Sequence, residues 1–335
     1  MDDPLGVRST PDDAGKEKRA TPMNLRSCLI TLWILCSLTA CASSSERAVA
    51  KWNRDNQRVA AVLRTRSEPD ALAAAGLLLL ASQPVEAREL LARAAATPDR
   101  PYLLWLHISS CRQSTGCDTA SMQEQIHRGD PDNGAAWVGA LHRAAVQHDE
   151  AGVDAALGAI GRTTRFDIYW NTLTARLSWA VAGSGQMNLP TAITAVIGEL
   201  ATVSIPAYQD VSTVACKGDT LDRPGRRDLC RAVARCFRNG DTYITEMIGL
   251  AIAKRVWPTD SAEYRDALEA RRVYEYRVSQ LDKTDAWRVM NQKRAQEYLH
   301  LLESHRTEQD VFKAQLEERH IDPTPPVDWA AKPTP

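Results

Sequence analysis

The stretch Asp130-Pro131-Asp132-Asn133-Gly134-Ala135-Ala136-Trp137 separates two helical patterns and decides how the chain is read. Proline and glycine among short polar side chains stop one helix, and the alanines and tryptophan start another. Trp137 is the middle member of a spaced set, with Trp105 32 residues before it and Trp170 33 residues after it. Each tryptophan lies early in an expected helix, and each is followed by a second helical stretch: Thr119 to His127, Ala151 to Ile160, and Pro190 to Val203. A period of that size, built from helix pairs, predicts hairpins packed side by side.

Composition points the same way. Alanine, leucine and arginine are abundant, phenylalanine occurs only 3 times, and runs of β-branched residues are nearly absent, which favours helices. Asp70 is placed to cap a helix through Ala71 to Ala81. Pro84 opens the next at its first turn and leads to Ala95, and Pro98 and Pro101 break the pattern before Tyr102, Leu103, Trp105 and Leu106. Further on, Arg226 to Phe237 reads as a helix stopped by Asn239-Gly240 in a left-handed cap, after which Asp241 restarts it toward Trp257-Pro258. Asp260 with Glu263 reads as a capping box opening a helix to about Leu281, and a final helix is expected from Thr284 or Asp285 to about Arg319. Apolar residues recur at helical spacing, among them Tyr264, Leu268, Tyr274, Val278 and then Trp287, Met290, Tyr298, Phe312. They predict a long antiparallel hairpin with one buried stripe. Five prolines between Pro323 and Pro335 predict an extended or disordered tail.

The segment from Asp130 to Trp137 resembles the start of a tetratricopeptide repeat, whose unit is a helix pair of about 34 residues. Leu141 and Val153 stand where that motif has a small residue and an alanine. The fold class implied is all-α: a TPR-like helical-hairpin array over residues 56–205, then a C-terminal helical region over 206–320 with its long hairpin, then a Pro-rich disordered tail over 321–335. The simpler alternative makes the three tryptophans core anchors of an irregular helical domain.

At the other end, Met23-Asn24-Leu25-Arg26 gives a positive start, Leu29 to Leu38 an apolar stretch, and Thr39-Ala40 small residues, the parts of an export signal. About 10 residues of helix rise only about 15 Å, against about 30 Å of bilayer core, so a spanning helix is disfavoured. The acidic residues Asp2, Asp3, Asp12, Asp13 and Glu17 do not suit such a signal, and residues 1–22 read as an extension upstream of a true start at Met23. Leu38-Thr39-Ala40-Cys41 resembles the lipobox of bacterial lipoproteins. That resemblance implies cleavage of residues 23–40, lipid on the sulfur and amine of Cys41, and a lipidated tether over 41–55. Several acyl chains overcome the marginal membrane binding of one. Ala42 replaces the aspartate that in enterobacterial lipoproteins tends to mark inner-membrane retention, so the periplasmic face of the outer membrane is expected. The alternative is an ordinary signal peptide in which Cys41 is one small residue near the cut.

Residues 1 to 40 hold 5 acidic and 5 basic residues, so removing them leaves the near balance of the whole, 41 basic against 42 acidic. The basic excess typical of nucleic-acid binding is missing, and no nucleic-acid partner is expected. Beyond Cys41 five cysteines remain, and an exported chain should pair them, leaving one over. Cys111 and Cys117 flank a turn and would staple a helical hairpin. Cys230 and Cys236, six positions apart on one helix, are about 9 Å apart in rise, beyond a disulfide's reach. Cys216 therefore pairs with one of them, and the other is expected to be buried as a small apolar residue. A zinc site lacks Cys-x-x-Cys spacing and is not expected.

No catalytic constellation is legible. His300 and His305, five apart, point about 140° away from each other on a helix, and His107, His127, His142, His148 and His320 form no ligand spacing. Ala182-Gly183-Ser184-Gly185-Gln186 lacks nucleophile-elbow spacing and reads as a loop. No phosphate loop or dinucleotide fingerprint is present, so no cofactor is expected. Glu246, on an otherwise apolar face, is the one carboxylate expected to be desolvated, with Lys254 or Arg255 as partner. The expectation is a lipid-anchored, non-catalytic periplasmic protein that offers a surface to another protein. The alternatives are a cell-envelope glycan-processing enzyme with paired carboxylates, or an inhibitor or immunity lipoprotein against a periplasmic toxin.

Overall fold

The computed structural model describes residues 46–111, 117–204, 208, 210–283 and 291–330, in two units, Met1–Trp52 and Asn53–Pro335. In the first, the described residues 46–52 are helical where a flexible tether is expected; Arg47, Ala48, Ala50 and Lys51 are all good helix formers. The second unit begins with α1 (53–63). It continues through α2 (Pro69–Leu79), α3 (Pro84–Ala95), α4 (Pro101–Ser110), α5 (Thr119–Gly129), α6 (Val138–Val146), α7 (Glu150–Arg162), α8 (Trp170–Gly183) and α9 (Leu189–Ser204). After short turns come α10 (Arg226–Arg238), α11 (Tyr243–Val256), α12 (Ala262–Lys283), α13 (Gln292–Ser304) and α14 (Glu308–Glu317). The described residues contain no strand, only the isolated bridges Asn133 to Arg165 and Phe166 to Gly240. The all-α class is therefore established.

Prolines set three of the starts, with Pro69, Pro84 and Pro101 in the first turns of α2, α3 and α4, where a missing amide hydrogen costs nothing. α2 is apolar all round, and every residue from Ala71 to Leu79 is buried, the expected fate of such a helix. α2/α3, α4/α5, α6/α7 and α8/α9 pack as neighbouring pairs. Their stacking departs from a simple sequential array: α8 and α9 return to pack on α2, while α10 takes the place against α7. Arg226, 1 % exposed, ties α10 to α7 by donating to Asp154 at 2.6 Å and Glu150 at 2.9 Å.

α10 and α11 cross where Gly249 faces Phe237. A methyl group at Gly249 would come within 2.9 Å of Phe237 Cβ and 3.0 Å of the Arg238 backbone nitrogen. Gly249→Ala should therefore cost about 1–3 kcal/mol, as overpacking of a closed core does, read as a lower urea midpoint with an unchanged slope. A variant as stable as the parent would show that this crossing is loose.

Several expected details differ. Asp70 does not cap α2; it lies in the first turn and accepts from Tyr102 Oη at 2.8 Å and Arg100 at 3.2 Å. The helix from Arg226 ends at Arg238, but Asn239 has φ −99° and Gly240 is not left-handed. Gly240 serves close approach instead, since a Cβ there would lie 2.4 Å from Thr245 Cγ2. α11 is capped by Thr242, whose hydroxyl accepts from the Thr245 amide, rather than by Asp241, and α12 by Ser261, which accepts from the Tyr264 amide, rather than by Asp260. The final long helix is two, because Thr307 caps α14 by accepting from Asp310 N–H; its expected start, with Trp287 and Met290, lies outside the described residues. α13 packs against α8 and α9, and α12 against α11 and α14. Leu268 is 42 % exposed and lies outside the buried stripe. The described part of the proline tail, 323–330, has no helix or strand and lies along α12, where Arg277 donates to Pro323 O and Arg272 to Pro326 O and Trp329 O, and Trp329 meets Tyr276 edge-on.

Candidate functional site

The richest polar chemistry lies where four interhelical connections meet: α5–α6, α7–α8, α10–α11 and α13–α14. The middle of this hub is the non-helical run from Thr163 to Tyr169. On one side Gly134 N–H donates to Arg165 O at 2.8 Å, and on the other Asp241 N–H donates to Phe166 O at 2.9 Å. Phe166, fully buried, anchors the run against Phe237 with ring centroids 4.2 Å apart, a burial worth about 1.5–3 kcal/mol.

Asn133, 0 % exposed, uses every hydrogen-bonding position it has. Its Nδ2 donates to Asp130 Oδ2 at 3.0 Å and Asp167 O at 2.8 Å. Its Oδ1 accepts from the amides of Ala135 at 3.0 Å and Asp167 at 2.9 Å. Tyr169 is held left-handed at φ 59°, a conformation costing a bulky residue about 1–2 kcal/mol. Its amide donates to Asp167 Oδ1 at 2.7 Å and its hydroxyl to Asp130, and these bonds offset the strain. Burial first, then the Asp130 carboxylate, push the Tyr169 hydroxyl far above its usual range.

Arg165 bridges Asp130 and Asp167, and Arg306 approaches Asp167 at 3.8 Å. Asp241 is 0 % exposed and accepts from Trp170 N–H at 2.9 Å, with no ion pair among the described residues. Burial, and then the neighbouring Asp167 charge, hold its carboxyl well above the carboxylate range. The α13–α14 turn closes the hub: Asn171 Nδ2 donates to His305 O at 2.9 Å, and Glu308 N–H to Asp241 O at 2.8 Å. Glu308 accepts from Tyr243 N–H at 2.8 Å, and burial pushes its carboxyl up to about 7.

Asp167 and Asp241 are thus neighbouring acidic groups, and acid–base chemistry uses such pairs where their environments differ. They are 6 % and 0 % exposed, and their hydrogen bonds run to the connections on either side, Asp167 to Tyr169 N–H and Asn133, and Asp241 to Trp170 N–H. Glu246 is desolvated as expected, and burial raises its carboxyl to about 7, but the charges opposing the rise come from Arg277 on α12 and Arg238 on α10 rather than Lys254 or Arg255.

The cysteines resolve into Cys111–Cys117 and Cys216–Cys230, with Cys236 free and buried. Burial pushes the Cys236 thiol up to about 11, which suits an unreactive packing residue. His300 is exposed and pairs with Glu303, and His127 stacks on Trp137 at 3.8 Å. His107, expected to have no ligand spacing, lies one helical turn before Cys111. Its imidazole and the two bridged sulfurs lie within 4.8 Å of one another, and burial lowers its pKa. A cleft of about 300 Å³ opens beside them, lined by His107, Cys117, Asp118, Ser121 and Met122. Cys41 lies outside the described residues. Comparison with protein-family models, curated proteins and solved structures gives no match.

Proposed function

We propose that the chain is a lipid-anchored, non-catalytic interaction protein of the bacterial cell envelope, held by lipid on Cys41 at the periplasmic face of the outer membrane. The observation that carries this reading is Leu38-Thr39-Ala40-Cys41 at the end of an apolar stretch with a basic start. The two disulfides support it, since such bridges persist in oxidising compartments. No helix of the described residues is long and apolar enough to cross a membrane. The helical hairpins, TPR-like in period though not in stacking order, supply the surface that a protein partner would meet.

The test is direct. Cells fed a clickable palmitate analogue should label the protein, and Cys41→Ser should abolish the label and move the chain from the membrane to the soluble fraction. Labelling retained by Cys41→Ser overturns the anchor. Crosslinking in intact envelopes followed by mass spectrometry should recover one dominant protein partner.

A further inference from the structure

The corner formed by α4, the Cys111–Cys117 bridge and the start of α5 holds three metal-ligating side chains. His107 and Cys111 are four apart and share a helix face, and Cys117 returns to them from the next element. Zn–S bonds of about 2.3 Å and Zn–N bonds of about 2.0–2.1 Å place tetrahedral ligand atoms about 3.5–3.8 Å apart. The observed set, within 4.8 Å, needs only the sulfurs to separate. In the bridged state the sulfurs are bonded to each other and do not serve as thiolate ligands.

We propose that reduction of Cys111–Cys117 turns this corner into a Cys2His site for a soft divalent cation of the zinc type, making metal uptake conditional on redox state. The reductant is a dithiol. One of its thiolates attacks Cys117 Sγ, the more exposed sulfur, the S–S bond breaks and Cys111 leaves as a thiolate. The second thiol of the reductant then releases Cys117 from the mixed disulfide. Two electrons pass from the dithiol, which becomes a disulfide, and two protein thiols result. Cation binding displaces their two protons and adds the neutral imidazole. The cleft beside Cys117 gives both reductant and cation a way in and leaves the fourth position to water or to a cleft donor. The other bridge differs on each count: Cys216 and Cys230 are both 0 % exposed, and among the described residues no such ligand group includes them. Mild dithiol treatment should therefore open the first bridge and spare the second. The proposal does not depend on the lipid anchor.

The test uses the full chain without a histidine tag, carrying Cys28→Ser, Cys36→Ser and Cys41→Ser to silence the amino-terminal thiols. After mild dithiol treatment and removal of the dithiol under argon, Co2+ should bind at one equivalent. It should give a thiolate-to-cobalt charge-transfer band that Zn2+ abolishes, while untreated protein gives none. Cys117→Ser should remove the band, and His107→Gln should weaken binding about tenfold or more, with helical circular dichroism unchanged. The proposal is overturned by any of four results: no band after reduction, equal binding by untreated protein, an equal band in both variants, or a band that appears only as helicity is lost.

Discussion

Asn133→Ala should lower the unfolding free energy by about 3–5 kcal/mol, measured by urea denaturation with the slope unchanged. The side chain serves the amides of Ala135 and Asp167, the carbonyl of Asp167 and the carboxylate of Asp130. Asp130 keeps Arg165 and Tyr169 after truncation, but three backbone groups lose their partner in a buried place. Each such orphan costs about 1–3 kcal/mol, reduced where water can enter. Asn133→Asp should be similarly damaging at neutral pH, because it places a third carboxylate beside Asp130 and Asp167. A loss below about 1 kcal/mol for Asn133→Ala would show that the hub does not hold the connections together.

The second large effect is a dependence on pH set by Glu246 and Glu308. Both carboxyls rise from 4.5 to about 7 on folding. Between those values the native chain holds protons that the unfolded chain has released, so stability falls as pH rises through the window and returns as pH falls. At 1.36 kcal/mol per pKa unit the ceiling is about 3 kcal/mol for each group. Partial exposure and solvent screening bring this to about 1–2 kcal/mol each. Glu246→Gln and Glu308→Gln should thus each stabilise the protein at pH 8 by that amount, together by about 2–4 kcal/mol, and leave stability at pH 5 nearly unchanged. Equal stabilisation at both pH values would mean that packing, not ionisation, is responsible.

Helices and their partners were legible in the sequence to different degrees. Proline starts, alanine-rich interiors and the tryptophan period mark the elements because those signals act within a few residues. The order of packing was not legible: whether α8 meets α6 or returns to α2 depends on which apolar faces fit, and apolar faces look alike in sequence. The hub was half visible. Asp130 to Gly134 read as a turn, and as a turn it stops α5, but nothing local shows that Asn133 reaches across to Asp167, 34 residues away. Aspartate suits a helix start, so Asp241 and Asp260 read as starts in the sequence; the caps themselves are the adjacent hydroxyls of Thr242 and Ser261. The cysteine pairing was legible from the turn between Cys111 and Cys117 and from the helix rise that keeps Cys230 from Cys236, up to the choice between those two that only three dimensions make.

The return of α8 and α9 onto α2 bears on how the chain acquires its structure. A linear array can be trimmed from either end, and each remaining repeat still finds its neighbour. Here an early helix awaits partners made more than a hundred residues later, and the crossing run from Thr163 to Tyr169 awaits Asp241. Hairpins of neighbouring helices can form early, but the closure onto α2 waits until much of the polypeptide has emerged, and contacts so far apart in sequence slow folding. The same closure makes the finished molecule hard to dismantle piecemeal: a fragment lacking the last third would carry bare apolar helices and meet the quality-control proteases as an unfinished product.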